Sequence, residues 1–288
     1  MAYEQRVIVA IAIAGCGRLD IQPVPCNWLS GPIVGEVQMR PELSTPVLDS
    51  DPLLVHGDPL TMYVTSDGGT GNNDIYVTRR PSLDAPFGPM TLISELTTAQ
   101  SEYALQLDVD GHGYFAKYNV TNVDLFEVQR DAAGTIQIVR ALDEINDSNN
   151  QHDPQPTADG LTLWFSYSNT STDQDIKIAH RTDRDAPWGA IEPFVYNTNR
   201  TEAGATLTAD QRVVVWAARS ERGDMEILYA TRTSLVSPWS APHVLEGVST
   251  PDQFEFEPSI REDGCELFFV RSSNLTDRNW NIYSVTIE

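Results

Sequence analysis

Between residues 50 and 288 the chain alternates short apolar runs with polar, turn-rich stretches, and no stretch keeps a helical period. The apolar runs are Thr61-Met62-Tyr63-Val64, Tyr114-Phe115-Ala116, Leu163-Trp164-Phe165, Val213-Val214-Val215-Trp216 and Leu267-Phe268-Phe269-Val270. Before each comes an Asp, at 58, 110, 159, 210 and 263, and Gly follows it at 111, 160 and 264. Asp-Gly suits a tight hairpin because Gly tolerates positive φ. After each run and a polar loop a further strand opens at Asp74, Asp124, Asp175, Glu226 or Asn281. Arg80, Arg130, Arg181 and Arg232 stand six residues after the first four of these. The units open on Asp51, Glu102, Asp153, Glu202 and Glu257, at intervals of 51, 51, 49 and 55 residues. Phe87-Gly88-Pro89, Trp188-Gly189-Ala190 and Trp239-Ser240-Ala241-Pro242 each precede a short closing strand. Four strands in each of five similar units predict an all-β chain, a five-bladed β-propeller.

The fifth unit stops after its third strand, at Ile287-Glu288, and residues 28–37 look like an isolated closing strand. The last blade is therefore expected to be completed by the N-terminal strand, which removes the open edge. The domain spans residues 27–288, after a leader at 1–16 and a linker at 17–26.

The pattern Asp/Glu-Pro, then Asp-Gly, then Leu-x-Phe, then Asp-Ile-Tyr resembles the TolB-type propeller repeat. The likeness is clearest in units three and five. Unit two departs from it, with Tyr103 in place of the Pro and no aromatic closing element near Ile136. The resemblance implies an extracytoplasmic binding or assembly module and names no ligand.

Charge narrows the partners. Asp and Glu number 41 against 19 Lys and Arg, a net −22, and a field of that sign repels nucleic acid and anionic lipid. A protein or carbohydrate ligand, or a cation, is compatible with it. In a propeller the inner strands line a central channel, so Asp51, Glu102, Asp153, Glu202 and Glu257 would ring its mouth, framed by Tyr118, Tyr167, Arg219 and Arg271. Three of the acids, Asp51, Asp153 and Glu257, are candidates for Ca²⁺, which takes several carboxylate oxygens. The Asp/Asn-rich loop 67–74 lacks an EF-hand register and reads as a solvated turn. The competing reading makes the acids structural acceptors of backbone amides. A second competing reading is a glycoside hydrolase, which needs paired carboxylates in distinct roles, whereas one repeated position does not differentiate them. No catalytic residue is assigned, because Gly-x-Ser-x-Gly, His-Glu-x-x-His and Cys-x-x-Cys are all missing. The Asp/Arg pairs and the closing aromatics read as fold-supporting.

The apolar run 7–14 after Arg6 is too short to cross a bilayer and suits a signal peptide. It ends Ile13-Ala14-Gly15-Cys16, which resembles a bacterial lipobox and makes Cys16 the lipidation site of an exported monomer held to a membrane only by its anchor. Cys26 and Cys265 remain. Propeller topology puts the first-to-second and third-to-fourth turns of a blade on one face. Cys265 follows the Asp263-Gly264 turn and Cys26 precedes the N-terminal strand, so the two are expected to form a disulfide across the seam.

Overall fold

The computed structural model describes residues 26–68, 71–168, 173–274, 276 and 279–288. The leader, Cys16 and most of the linker lie outside the described residues, as do two residues of the 67–74 loop.

The described chain is all-β, with one 3₁₀ turn at Trp28–Ser30 and no α-helix. After the short β1 (Gln38–Met39) the strands follow the sequence units. Unit one holds β2 (Asp49–Val55), β3 (Asp58–Ser66), β4 (Asp74–Arg79) and β5 (Thr91–Leu92). Unit two holds β6 (Glu102–Leu107), β7 (His112–Tyr118), β8 (Val123–Arg130) and β9 (Ile136–Ala141). Unit three holds β10 (Asn150–Pro156), β11 (Thr162–Ser168), β12 (Asp175–His180) and β13 (Ile191–Pro193). β14 (Glu202–Leu207), β15 (Val213–Arg219), β16 (Met225–Thr231) and β17 (His243–Val244) form unit four; β18 (Phe254–Ile260), β19 (Glu266–Ser272) and β20 (Asn281–Thr286) belong to unit five.

Units one to three are separate four-stranded antiparallel sheets. A single parallel bridge, Met225 to Phe254, joins units four and five into one eight-stranded sheet. The innermost strands β2, β6, β10, β14 and β18 touch one another in that order, and β18 returns to β2. The inner strands thus close a ring with the sheets radiating from it. Apolar side chains fill the spaces between sheets. Leu105, Leu107 and Phe115 pack on Tyr63, Ile75 and Ile93 between units one and two, and Trp164 and Phe194 pack on Trp216 and Leu207 between three and four.

The seam closes as the pattern requires. β1 pairs with β20 through Gln38 and Ser284, and Ile33 and Glu288 exchange backbone hydrogen bonds of 3.0 and 2.9 Å. Cys26 and Cys265 are disulfide-bonded with their Cα atoms 5.4 Å apart, inside the range a bridge requires. The Trp28 indole N–H donates to Gly264 O at 2.8 Å beside it. In the chain-entropy picture a loop this long contributes at most roughly 5 kcal/mol. Such a structural disulfide persists in an oxidising compartment outside the cytoplasm.

The recurrent Arg is a strut. Arg80, Arg181 and Arg232 donate to the carbonyls of Pro59, Gly160 and Gln211 in their own hairpins, and their guanidinium groups lie 4.8, 4.4 and 4.3 Å from the rings of Phe87, Trp188 and Trp239. Arg80 also crosses to the next sheet, meeting Glu266 at 2.7 Å.

Candidate functional site

Every inner strand breaks register at an equivalent place, and that break decides which acids face the channel. The pairing slips between Ser50 and Leu53, Tyr103 and Gln106, His152 and Gln155, Ala203 and Thr206, and Phe256 and Ser259. In each slip one residue takes a positive φ: Asp51 (48°), Ala104 (51°), Asp153 (51°), Gly204 (63°) and Glu257 (51°). A non-glycine residue held there is strained, and four such residues beside Gly204 mark a device of the fold. Pro follows the three acids but neither Ala104 nor Gly204.

The bulge residues converge on a neck with only about 10 Å³ of free volume. Above it opens a mouth of about 370 Å³, with Asp153 and Glu257 in its floor and Tyr103, His152, Phe256 and Trp280 among its walls. Below the neck a cavity of about 160 Å³ contains Gln155 and His56, linked at 2.9 Å, and His56 meets Glu262 at 3.0 Å. Neck and mouth share Asp153, Gly204 and Glu257, so they are continuous.

The backbone N–H of Asp51 donates to Glu257 Oε2 at 2.9 Å, and the Ser166 hydroxyl donates to Asp153 Oδ2 at 2.7 Å. Burial pushes the Asp51 carboxyl up to about 7, with the nearby Asp153 charge adding to the effect. Burial raises Glu257 well above the carboxylate range, helped by Asp51 and Asp153. Glu257 therefore keeps its proton at neutral pH, and Asp51 titrates close to it. Burial lowers the pKa of His152, against the pull of Asp153, so its ring is neutral beside the acids.

Glu102 and Glu202, expected in the same ring, are placed elsewhere. They lie two residues before the bulge, in register with Asp49, Gln151 and Glu255. Each acid of this outer set ties down the turn before its strand: the hydroxyls of Thr45, Thr98, Thr198 and Thr250 donate to Asp49, Glu102, Glu202 and Glu255 at 2.9, 2.5, 2.7 and 2.7 Å. In unit three the polarity reverses, and the Gln151 amide donates to Asp147 at 2.9 Å. Burial is the leading cause of a raised pKa at all four acids.

The other expected mouth residues divide as well. Arg219 lines the mouth. Arg271 instead pairs with Glu255 at 2.9 Å. Tyr167 meets Asp147 at 3.1 Å and carries Lys177 over its ring, while Tyr118 donates to Val120 O on an exposed loop. Among the described residues no group of three or more His, Cys, Asp or Glu is arranged to hold a metal ion. One oxygen of Asp153 accepts from Ser166 and one of Glu257 from the Asp51 amide. Tyr103 and His152 flank the bulges and could have been found from that position. Trp280 reaches the mouth from a loop with no motif.

The geometry now meets known folds. No protein-family model and no curated protein sequence matches the chain. Among solved structures it is similar to a thermostable family-43 glycoside hydrolase at 14% identity, covering 85% of this chain and 91% of that one with TM-score 0.55. It is also similar to an α-L-arabinofuranosidase from Podospora anserina in complex with cellotriose (12%, 90% and 95%, TM-score 0.52). A third is a putative TolB from Agrobacterium tumefaciens (14%, 85% and 79%, TM-score 0.51). The fold is a β-propeller. At these identities the likeness carries no activity across.

Proposed function

We propose that the chain is a five-bladed, TolB-like propeller, exported and lipid-anchored at Cys16, that binds a small donor-rich ligand in its central mouth. The observation that carries this reading is the convergence of Asp51, Asp153 and Glu257, through one repeated bulge, on the neck beneath the mouth, with Asp153 and Glu257 reaching the mouth itself. Carboxyl groups there accept hydrogen bonds from hydroxyl or ammonium groups, and the aromatic walls cover the ligand's apolar faces. Calorimetry against neutral monosaccharides and simple primary amines tests it. At least one should bind wild type, and Asp153→Asn should weaken it tenfold or more. Silence from every probe overturns the reading.

One observation favours a hydrolase as the second reading. Burial raises Glu257 well above the carboxylate range next to Asp153, and a protonated carboxyl near a second acid is the pairing that glycoside hydrolysis uses. Aryl glycosides decide between the two, because turnover lost in Asp153→Asn belongs to an enzyme and its absence to a binding module.

A further inference from the structure

Among the described residues that line the central mouth, Arg219 is the only Arg or Lys. The register explains why no acid claims it. In unit two Lys117 stands opposite Glu102, with its ammonium 3.8 Å away. In unit five Arg271 stands opposite Glu255 and pairs with it at 2.9 Å. In unit four the residue opposite Glu202 is Ala218, and the basic residue comes one place later. Successive side chains on a strand point to opposite faces. Arg219 therefore shares a face with Ala217 and turns from Glu202 to the mouth, which both residues line. Its neighbours Arg200 and Arg222 are matched by Glu221 and Glu226 at 3.8 and 2.6 Å. Arg219 makes no such pair among the described residues.

Its hydrogen bonding leaves one side of the guanidinium open. Nη1 donates to Gly223 O at 2.9 Å within the same hairpin, which fixes the group. Nε and Nη2 meet no acceptor among the described residues, and neither is shielded from solvent. Nε and Nη2 together form the side of a guanidinium that takes both oxygens of a carboxylate or phosphate in two parallel hydrogen bonds.

The acids lie at the other end of the cavity. Ala203, beside the bulge at Gly204, pairs with Ala217, and Arg219 is rooted two residues nearer the rim, about 7 Å at the rise of a strand. Asp153 and Glu257 stand at the level of the bulge, in the floor. The mouth thus has an acid floor and a cationic rim. A chain of net charge −22 repels an anion in proportion to its charge, which favours a single carboxylate over a dianionic phosphate.

We infer that the ligand of the mouth carries a carboxylate, held side-on by Arg219 at the rim, while its hydroxyl or ammonium groups meet Asp153 and Glu257 at the floor. This rests on the mouth reading above and adds the ligand's anionic end. Sugar acids and amino acids share that chemistry.

Calorimetry with matched pairs tests the inference: glucose and glucuronate, galactose and galacturonate, phenethylamine and phenylalanine. In at least one pair the carboxylate should bind tenfold or more tighter than its partner, and the pair that shows the gain tells a sugar acid from an amino acid. Arg219→Gln should bring that ratio close to one. Asp153→Asn should weaken the carboxylate ligand tenfold or more, because its donors still sit on the floor. Should Arg219→Gln misfold, Arg219→Lys serves instead: it keeps the charge but cannot make the two parallel bonds, so most of the gain should go. Binding of the uncharged sugars or the amine with no gain in any pair overturns this inference alone, as does a gain that survives at Arg219 or is untouched by Asp153→Asn. Glucose 6-phosphate binding tighter than glucuronate also overturns it. Failure of every member of every pair overturns the mouth reading as well.

Discussion

Two sets of acids stand two residues apart on the same strands and live in different worlds. Asp49, Glu102, Glu202 and Glu255 are buried and hold the turns before their strands through Thr side chains. Asp51, Asp153 and Glu257 sit at bulges and are turned into the channel, where they crowd one another. In a regular strand, residues two apart share a face. The bulge breaks that rule and separates structural acids from ligand-facing ones. Carboxylates of one kind thus divide by backbone conformation rather than by residue type.

The largest effect should come from breaking the outer set. Glu255 is fully buried and receives Arg271 Nε at 2.9 Å. Glu255→Ala would leave that guanidinium without its counter-ion and the Thr250 hydroxyl without its acceptor, so urea unfolding should show a loss of about 3–5 kcal/mol. A loss below about 1 kcal/mol would mean that the outer acids hold nothing together.

The inner set should respond to pH instead. The Asp51 carboxyl binds its proton more tightly folded, at about 7, than unfolded, near its ordinary 3.8. Its contribution is therefore fully present below pH 4 and is lost as pH rises through 7. The full difference corresponds to about 4 kcal/mol as an upper figure. Melting temperatures of wild type should fall between pH 5 and 8 relative to Asp51→Asn, in which this ionisation is gone. Parallel curves for the two proteins would show that the trio is not crowded.

The smallest effect sharpens the comparison. Unit three already uses an amide, Gln151, at the outer position. Glu102→Gln should accordingly cost no more than about 1 kcal/mol, because the amide oxygen still accepts from Thr98. A larger loss would point to the Lys117 ammonium, 3.8 Å from Glu102, as the partner that matters.

Much of this was legible in the sequence. The period, the Asp-Gly hairpins and the unpaired N-terminal strand implied sheets closed into a ring, and the two cysteines followed from which turns share a face. The recurrent Arg and the closing aromatics were readable as fold-supporting, but their contact with each other was not, since the Arg was paired with the Asp six residues before it. The acid ring was misaligned by two residues in units two and four, because Glu102 and Glu202 are the only acids at the strand start there. The Pro after Asp51, Asp153 and Glu257 marks the bulge and does not follow Glu102 or Glu202. The placement of Arg271 and Trp280 depends on contacts between distant strands and loops, which no local spacing encodes.

The most direct test of the central claim is a crystal structure of wild type soaked with the monosaccharides and amines of the binding assay. The account predicts ligand density in the central mouth, within hydrogen-bonding distance of Asp153 and Glu257. Ligand found only elsewhere on the surface, with the mouth empty at saturating concentration, would contradict it.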